Sequence, residues 1–457
     1  MRVVNPANGD VLRELSEDDA ESIAEKCRRA RVAQREWMMA GFAARAATIE
    51  RFRALLVERR EQLARTLTAE VGKPISQSNN ELKALLGRID FFSERTPSEL
   101  APETVLLSEA DRLEERIAHE PLGLVANISA WNYPYFVGAN VFVPALLTGN
   151  AVLYKPSEFA TLTGLEITRA LHDAGVPEAV FAAVIGAGSV GAELLQQRLD
   201  AVFFTGSYAT GRAIAEAVAP RLIKLQLELG GKDPAYVMDD ADVKAAAAAV
   251  ADGAFYNTGQ SCCAVERVYV HEAIWDEFVE SFVATVRDFK LGDPSAEDTY
   301  IGPLARRELA VTHLEQQLED ARSRGATIRL GGQRIGEKGW FFAPTVVVDV
   351  DHRMRLMKEE SFGPVIGLMK VSSDAEALEL MNDTEYGLTA AVYGRDAARA
   401  EPLLARLDVG SAYFNCCDRV SPRLPWSGRR HSGIGCTLST YGIETFLRPK
   451  AWHLRRA

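Results

Sequence analysis

Apolar residues recur at helical spacing through the first hundred positions of the chain, which predicts a helical region. Ser16 with Asp19 predicts a capping box at its start, and Gly72 followed by Pro74 predicts an end. The apolar series comprise Ile23, Cys27, Ala30 and Trp37, then Ile49, Phe52, Leu56 and Leu63.

From about residue 120 the pattern changes to short apolar runs that alternate with segments of helical length. This alternation is typical of a parallel sheet in an α/β domain. A second alternating series covers residues 267–414, so we expect two α/β lobes with a boundary near Gly230 and Gly231. The strands predicted in the first series are 124–128, 151–154, 182–185, 201–204 and 222–227.

Length, composition and charge exclude several classes of protein. A chain of 457 residues is long enough for at least two cores, and 47% hydrophobic with 25% charged residues is ordinary for a globular protein. The 52 basic and 63 acidic residues give a net charge of −11, which argues against a nucleic-acid partner. We also expect no secretory signal, because MRVVNPANGD lacks an apolar segment, and no membrane span.

The six cysteines include two adjacent pairs, Cys262–Cys263 and Cys416–Cys417. Neighbouring cysteines rarely meet the geometry of a disulfide, so they make a poor disulfide framework. This cysteine usage predicts a reduced, cytoplasmic chain.

Two motifs place reactive groups where chemistry is possible. In GQSCC at 259–263, Cys262 follows a glycine turn and is a candidate nucleophile, although a buried, inert cysteine is the commoner case. In ELGGK at 228–232, Glu228 ends a predicted strand, where acid–base groups of α/β sheets collect. A surface ion pair with Lys232 is the alternative for this carboxylate.

Two further motifs suit the binding of a nucleotide or an oxyanion. FTGSYATG at 204–211 leads from a strand into a helix whose first N–H groups can bind phosphate, although an ordinary β–α turn gives the same pattern. In WNYP at 131–134, the Asn132 amide can donate to an oxyanion, and KPSE at 155–158 can hold a ribose. A packed aromatic turn is the alternative for WNYP.

These motifs, in this order and followed by ESFGP at 360–364, resemble the aldehyde dehydrogenase superfamily. The resemblance covers nearly the whole chain, up to SGIG at 432–435. Two positions depart from the family pattern: Ala130 stands where proline is usual, and PWSGRRHSG at 425–433 replaces the usual late glycine-rich element. Neither change removes a catalytic group, but the second alters the pocket wall.

The resemblance implies an α/β fold with three parts. A Rossmann-type cofactor domain comprises residues 1–98 and 122–230, and an α/β catalytic domain comprises 231–431. A small oligomerisation β-element pairs residues 99–121 with 440–457. Because an isolated ribbon buries too little surface, we expect a homodimer or homotetramer.

The resemblance also implies the catalytic groups. The Cys262 thiolate attacks the aldehyde carbon, Asn132 and the backbone N–H of Cys262 hold the oxyanion, and Glu228 activates water to hydrolyse the thioester. The retained glutamate argues for a carboxylic acid product, and no metal is expected. Two alternatives are a catalytically retired binding protein on the same fold and a cysteine hydrolase without cofactor. The hydrolase is disfavoured because no histidine lies in the cysteine or glutamate motif.

The cofactor implied is NAD, possibly NADP. A carboxylate at Glu158 favours NAD because it repels the 2′-phosphate of NADP. The residues expected to bind the dinucleotide are Trp131, Lys155, Ser157, Glu158, Thr205, Gly206, Ser207, Glu360 and Phe362.

By the same resemblance the substrate pocket is an aromatic tunnel suited to a small or medium aliphatic, aromatic or semialdehyde substrate. Several succinate-semialdehyde enzymes bind the distal carboxylate with an arginine where this chain has Asn140. We therefore expect uncharged aldehydes to react at least as well, unless Arg419 or Arg423 supplies the charge; a succinate-semialdehyde-specific enzyme is the alternative. The predicted lining residues are Tyr133, Phe136, Val137, Asn140, Tyr256, Ser261, Cys263, Val420 and Trp426.

Overall fold

Helices dominate the first hundred residues of the computed structural model, which describes residues 1–455. The first long helix begins at Ala20, and its N-cap is Asp19, whose carboxylate accepts the N–H of Ser22. The predicted capping box is therefore wrong at Ser16, which lies before the cap. Gly72 ends a helix in a left-handed conformation, as expected. The elements to residue 121 are β1 (Arg2–Val4), β2 (Val11–Glu14), α1 (Ala20–Met39), α2 (Gly41–Glu58), α3 (Arg60–Val71), α4 (Ile75–Leu100), β3 (Glu103–Ser108) and β4 (Leu113–Pro121).

The next part of the chain forms the first parallel sheet. Its elements are β5 (Leu124–Ile128), α5 (Pro134–Leu147), β6 (Ala151–Lys155), α6 (Thr161–Asp173), β7 (Phe181–Ala183), α7 (Gly188–Gln196), β8 (Ala201–Thr205), α8 (Tyr208–Val218) and β9 (Lys224–Glu228). The strand order is β9-β8-β5-β6-β7, and all residues of β5, β6 and β8 are buried. Helices on the faces of a parallel sheet explain why these strands are continuous apolar runs. The predicted ends of β7 and β9 differ from the observed ends by one or two residues. Leu222, the predicted first residue of β9, lies outside that strand and has a φ of 54°.

The chain then passes into a second, seven-stranded sheet of order β12-β15-β16-β11-β10-β18-β19. Its pairs are parallel apart from β12 with β15. Its elements and neighbours are β10 (Asp233–Val237), α9 (Val243–Phe255), β11 (Val265–His271), α10 (Trp275–Arg287), α11 (Glu308–Ser323), β12 (Thr327–Leu330), β13 (Arg334–Ile335), β14 (Phe341–Phe342), β15 (Thr345–Val348), β16 (Val365–Val371), α12 (Asp374–Asn382), β17 (Tyr386–Gly387), β18 (Thr389–Tyr393), α13 (Ala397–Leu404) and β19 (Ser411–Phe414).

The last elements return to the first lobe. They are β20 (Arg429–Arg430), β21 (Gly433–Ile434), α14 (Ser439–Glu444) and β22 (Leu447–Arg455). Strand β21 pairs with β9, and β22 pairs with β4 along its whole length, giving a three-stranded sheet β22-β4-β3. The edge strand β3 exposes three consecutive apolar side chains, Val105, Leu106 and Leu107. No helix within residues 1–455 is long and apolar enough to cross a membrane.

Candidate active site

The predicted catalytic and cofactor motifs of the first lobe meet at one edge of its sheet. Glu228 ends β9, Thr205 ends β8 and Lys155 ends β6, while Asn132 lies on the loop after β5. Because these strands are parallel, their carboxyl ends lie side by side. Residues far apart in sequence are thus brought to one crevice.

The loop that carries the cysteine motif is fixed to the Asn132 loop. It begins with a short turn in which Asn257 and Thr258 have φ values of 53° and 60°. The Asn257 amide donates to the backbone oxygens of Asn132, at 3.1 Å, and of Gln260, at 2.9 Å. Gly231 must be glycine because a Cβ there would lie 2.7 Å from the carbonyl oxygen of Cys262. The segment after β9 therefore lies directly against the backbone of Cys262.

Asn132 is 4% exposed, and its side-chain amide makes no hydrogen bond within residues 1–455. The amide is not one of the fully buried polar groups that lack a partner, so it stays accessible and can bind a group from outside the chain. A donor beside the cysteine loop suits the oxygen of a reacting carbonyl group.

The two adjacent thiols differ in their surroundings. Cys263 is 3% exposed and donates its S–H to Asp418 Oδ1 at 2.9 Å, whereas Cys262 is only half-buried. The hydrogen bond with Cys262 and burial raise the pKa of Cys263 well above its usual value. For Cys262, the bond with Cys263 lowers the pKa, but burial and the Glu228 charge leave it raised overall. The geometry favours Cys262 as nucleophile and requires a base for its proton.

Glu228 has the properties of that base. Its carboxylate is buried, and Oε1 accepts the indole N–H of Trp426 at 2.9 Å. Burial raises the pKa of Glu228 to about 7, while the Trp426 hydrogen bond and the Arg88 charge act in the opposite direction. Sequence reasoning placed Trp426 in the pocket wall and missed this contact. At neutral pH the carboxylate can both accept and release a proton.

Replacing Trp426 by phenylalanine keeps an aromatic ring and removes the N–H. Since this hydrogen bond stabilises the carboxylate, its loss raises the pKa of Glu228 further. We expect the acidic limb of the kcat profile to move up by about one pH unit, which corresponds to about 1.4 kcal/mol. A profile that stays in place in Trp426→Phe, with the fold intact by circular dichroism, would show that the indole does not set this pKa.

Two predicted cofactor residues from the second lobe lie against the first. Glu360 Oε1 accepts the backbone N–H of Gly231 at 3.0 Å, and a Cβ at Gly230 would lie 2.3 Å from the same oxygen. The ring of Phe362 meets Trp131 edge to face at 5.4 Å between centroids. These contacts close the crevice at the junction of the lobes.

The remaining predicted cofactor residues fit a dinucleotide. Ser207 caps α8 by accepting the N–H of Thr210, and Gly206 has no room for a side chain because a Cβ would lie 2.4 Å from the Phe204 ring. The other first-turn N–H groups of α8 can bind a pyrophosphate. At the end of β6, the Lys155 ammonium is buried beside the backbone, and Ser157 donates to the Glu158 carboxylate at 3.3 Å.

Sequence reasoning missed two cations on the predicted substrate tunnel. The rings of Tyr133 and Phe136 are stacked. Lys73 Nζ lies 3.8 Å from the centroid of the Tyr133 ring, and Arg88 Cζ lies 3.9 Å from the centroid of the Phe136 ring. Arg88 also donates to Asn140 Oδ1 at 2.8 Å. A local signal for Arg88 existed, since it falls within the helical apolar stripe of α4, which comprises Leu82, Leu85, Ile89 and Phe92.

Three of the other predicted tunnel residues, Tyr256, Ser261 and Val420, make the following contacts. Tyr256 accepts the Asn80 amide at 3.3 Å, and Ser261 Oγ lies 3.6 Å from Cys263 Sγ. Val420 packs on the core of the first lobe, while the neighbouring Arg419 is exposed.

A model of the aldehyde dehydrogenase family matches residues 1–452, so the chain belongs to that family. This membership confirms the predicted class of enzyme, because the chain is an oxidoreductase that acts on aldehydes.

Relatives support the assignment along the whole length of the chain. It is 35% identical to a succinate-semialdehyde dehydrogenase [NADP(+)] of Deinococcus radiodurans over 98% of this chain and 93% of the relative. It is 37% identical to a 3,6-anhydro-alpha-L-galactose dehydrogenase of Streptomyces coelicolor over 100% and 93%.

Solved structures confirm the α/β fold class. A betaine aldehyde dehydrogenase from Staphylococcus aureus, in complex with NAD+, superposes with a TM-score of 0.95 at 32% identity, covering 100% of this chain and 91% of that one. An NADP-dependent enzyme from E. coli gives a TM-score of 0.96 at 32% identity, covering 100% and 94%.

Proposed function

We propose that this chain oxidises an aldehyde to a carboxylic acid through a thioester on Cys262, using NAD in preference to NADP. The observation that carries the proposal is an accessible Asn132 amide with no hydrogen-bond partner in the described chain, on the loop bound to the cysteine loop, together with the half-buried Cys262 thiol and a carboxylate with a pKa of about 7.

The first step forms a bond between Cys262 Sγ and the aldehyde carbon. Because the pKa of this thiol is raised, its proton must leave as the bond forms, and Glu228 takes it. The carbonyl π electrons move to oxygen, where the amide of Asn132 and the backbone N–H of Cys262 stabilise the negative charge.

A nicotinamide ring held at this site would supply the hydride acceptor, and loss of hydride from the substrate carbon would leave that carbon as a thioester on Cys262. Glu228 first releases to solvent the proton that it took from Cys262, and it then removes a proton from a water molecule, whose oxygen attacks the thioester carbon. The C–S bond breaks, the carboxylic acid departs, and the Cys262 thiolate takes the proton that Glu228 holds. A carboxylate with a pKa near 7 is suited to this work at neutral pH.

The crevice between the lobes provides the proposed cofactor site. Trp131 and the start of α8, with Thr205, Gly206 and Ser207, would hold the pyrophosphate. Glu360 and Phe362 would hold the riboside next to the thiol, since Glu360 accepts the N–H of Gly231, which lies against Cys262, and Phe362 meets Trp131. Lys155, Ser157 and Glu158, at the end of β6, would hold the adenosine ribose.

The function is tested by following the absorbance of reduced nicotinamide with a panel of small aldehydes and both cofactors. The Glu158 carboxylate repels a 2′-phosphate, so we expect kcat/KM to favour NAD by about tenfold or more. Glu158→Gln keeps the shape of the side chain and should lower the ratio of kcat/KM with NAD to kcat/KM with NADP. Equal kcat/KM for both cofactors in the unsubstituted enzyme would exclude the preference, and no reduction with any aldehyde would exclude the function.

We further propose a homo-oligomer, dimer or tetramer, built through the sheet β22-β4-β3. Support comes from the edge strand β3, whose Val105 and Leu107 are 61% and 67% exposed. An exposed apolar edge strand is a surface that proteins normally cover.

We place the enzyme in the cytoplasm. The support is that all six cysteines are unpaired, which suits a reducing compartment.

A further inference from the structure

An arginine lies buried in the middle of helix α4. Arg88 is 5% exposed and occupies the apolar stripe between Leu85 and Ile89, both of which are fully buried. Arginine is rarely buried to this degree without a partner that balances its charge. The contacts of its guanidinium group therefore need to be accounted for.

The chain satisfies only one of the five N–H donors of this guanidinium. Nη1 donates to Asn140 Oδ1 at 2.8 Å, and the group lies over the Phe136 ring. Within residues 1–455 the other donors have no acceptor. Nε and Nη2, which form one edge of the planar group, are thus both free, and such an edge matches the two oxygens of a carboxylate.

Lys73, a second buried cation on the wall of the predicted tunnel, has an ion-pair partner within the chain. Lys73 lies over Tyr133, is as deeply buried as Arg88 and forms an ion pair with Glu81. Glu81 also accepts backbone N–H groups at the start of α5, and Glu228 accepts the N–H of Trp426. Neither carboxylate lies within ion-pairing distance of Arg88 in the described chain, and its Nε and Nη2 are not among the fully buried polar atoms, so a ligand carboxylate can reach them.

Arg88 also lies within electrostatic range of the reacting groups. Burial lowers its pKa to about 10, and the charges of Glu228, Glu81, Cys263 and Cys262 oppose that shift. The guanidinium therefore stays protonated at neutral pH while lying close to the proposed nucleophile. A substrate held at Cys262 can extend towards it along the stacked rings of Tyr133 and Phe136.

We propose that Arg88 determines substrate specificity by binding the carboxylate of an aldehyde that carries an acid group at its far end, an ω-oxo acid. This inference rests on the proposed function, because it assumes that the aldehyde reacts at Cys262. Asn140 holds Nη1 and so leaves the Nε–Nη2 edge for the carboxylate. From the sequence we expected uncharged aldehydes to react at least as well, because Asn140 stands where an arginine would bind the acid; the proposal replaces that expectation with a preference for the acid.

The preference is measured as the ratio of kcat/KM for succinate semialdehyde to that for butanal, which has the same chain length without the acid. Arg88→Met keeps the length of the side chain and removes the charge. We expect this ratio to fall about 100-fold, as for loss of one member of a buried charge pair. The control is Arg95→Met on the same helix, whose side chain is 53% exposed, and its ratio should match the unsubstituted enzyme.

A second substitution separates charge recognition from packing. Asn140→Asp leaves Arg88 in place but sets a carboxylate against it, so the ratio should fall as it does in Arg88→Met. If kcat/KM for both aldehydes falls in parallel in Arg88→Met and Asn140→Asp, the pair is structural and the proposal is wrong.

A binding measurement tests the site without turnover. Succinate should slow the alkylation of Cys262 by iodoacetamide, a neutral reagent, in the unsubstituted protein and in Arg95→Met but not in Arg88→Met. Protection by succinate in a protein that oxidises no aldehyde would contradict the proposed function and leave the anion site standing. Turnover of aldehydes with no protection and an unchanged ratio in Arg88→Met would contradict the anion site alone.

Discussion

Cys262→Ala is expected to lower aldehyde oxidation by ~10⁴-fold or more, because the variant cannot form the thioester from which every later step proceeds. Binding of NAD should survive, since the proposed cofactor contacts come from other residues. The rate is measured as reduced nicotinamide formed in the steady state, and NAD binding by calorimetry.

The matched control is Cys263→Ser. The thiol of Cys263 donates to Asp418, and a serine hydroxyl can donate in the same way. This variant should lose less than about tenfold in kcat, a loss in the range expected for one altered hydrogen bond. An active Cys262→Ala with an inactive Cys263→Ser would reverse the assignment of the nucleophile.

Glu228→Gln should separate the two halves of the reaction. The amide cannot take a proton from water, so hydrolysis of the thioester slows by about 10²- to 10⁴-fold, the usual contribution of a general base. Acylation slows as well, because Glu228 takes the thiol proton, but it can still proceed at alkaline pH where Cys262 ionises by itself. The enzyme should therefore accumulate as thioester, with its intact mass increased by the acyl group.

The pH profile provides the check on Glu228. With a pKa raised to about 7, the carboxylate is protonated below that value, so kcat of the unsubstituted enzyme should rise through about pH 7. That rise should disappear in Glu228→Gln. A variant that deacylates at the original rate, with no acyl adduct in its mass spectrum, would remove Glu228 from the role of base.

Much of the fold follows from local patterns. The strands β5, β6 and β8 are short apolar runs because both faces of their sheet are covered, and their positions were predicted to within one residue. The strands β1 and β2 were not predicted; β2 is a four-residue strand with every residue exposed, so it carries no burial pattern. Ser16 was misjudged because a capping motif fixes a helix start only to within a few residues.

The sequence by itself determined the α/β class and the order of the motifs, and the family resemblance singled out the candidates Cys262, Glu228 and Asn132. Glu228 and Asn132 follow strands of one parallel sheet, so the pattern was sufficient to bring them to one edge. Cys262 precedes β11 of the other sheet, and only the resemblance joined it to them. The tertiary structure alone decided which distant residues form hydrogen bonds with the groups of the site. Cys263 meets Asp418 across 155 positions, Trp426 meets Glu228 across 198, and Arg88 meets Asn140 across 52. Such contacts depend on how lobes and helices pack, and no local pattern of polar and apolar residues encodes them.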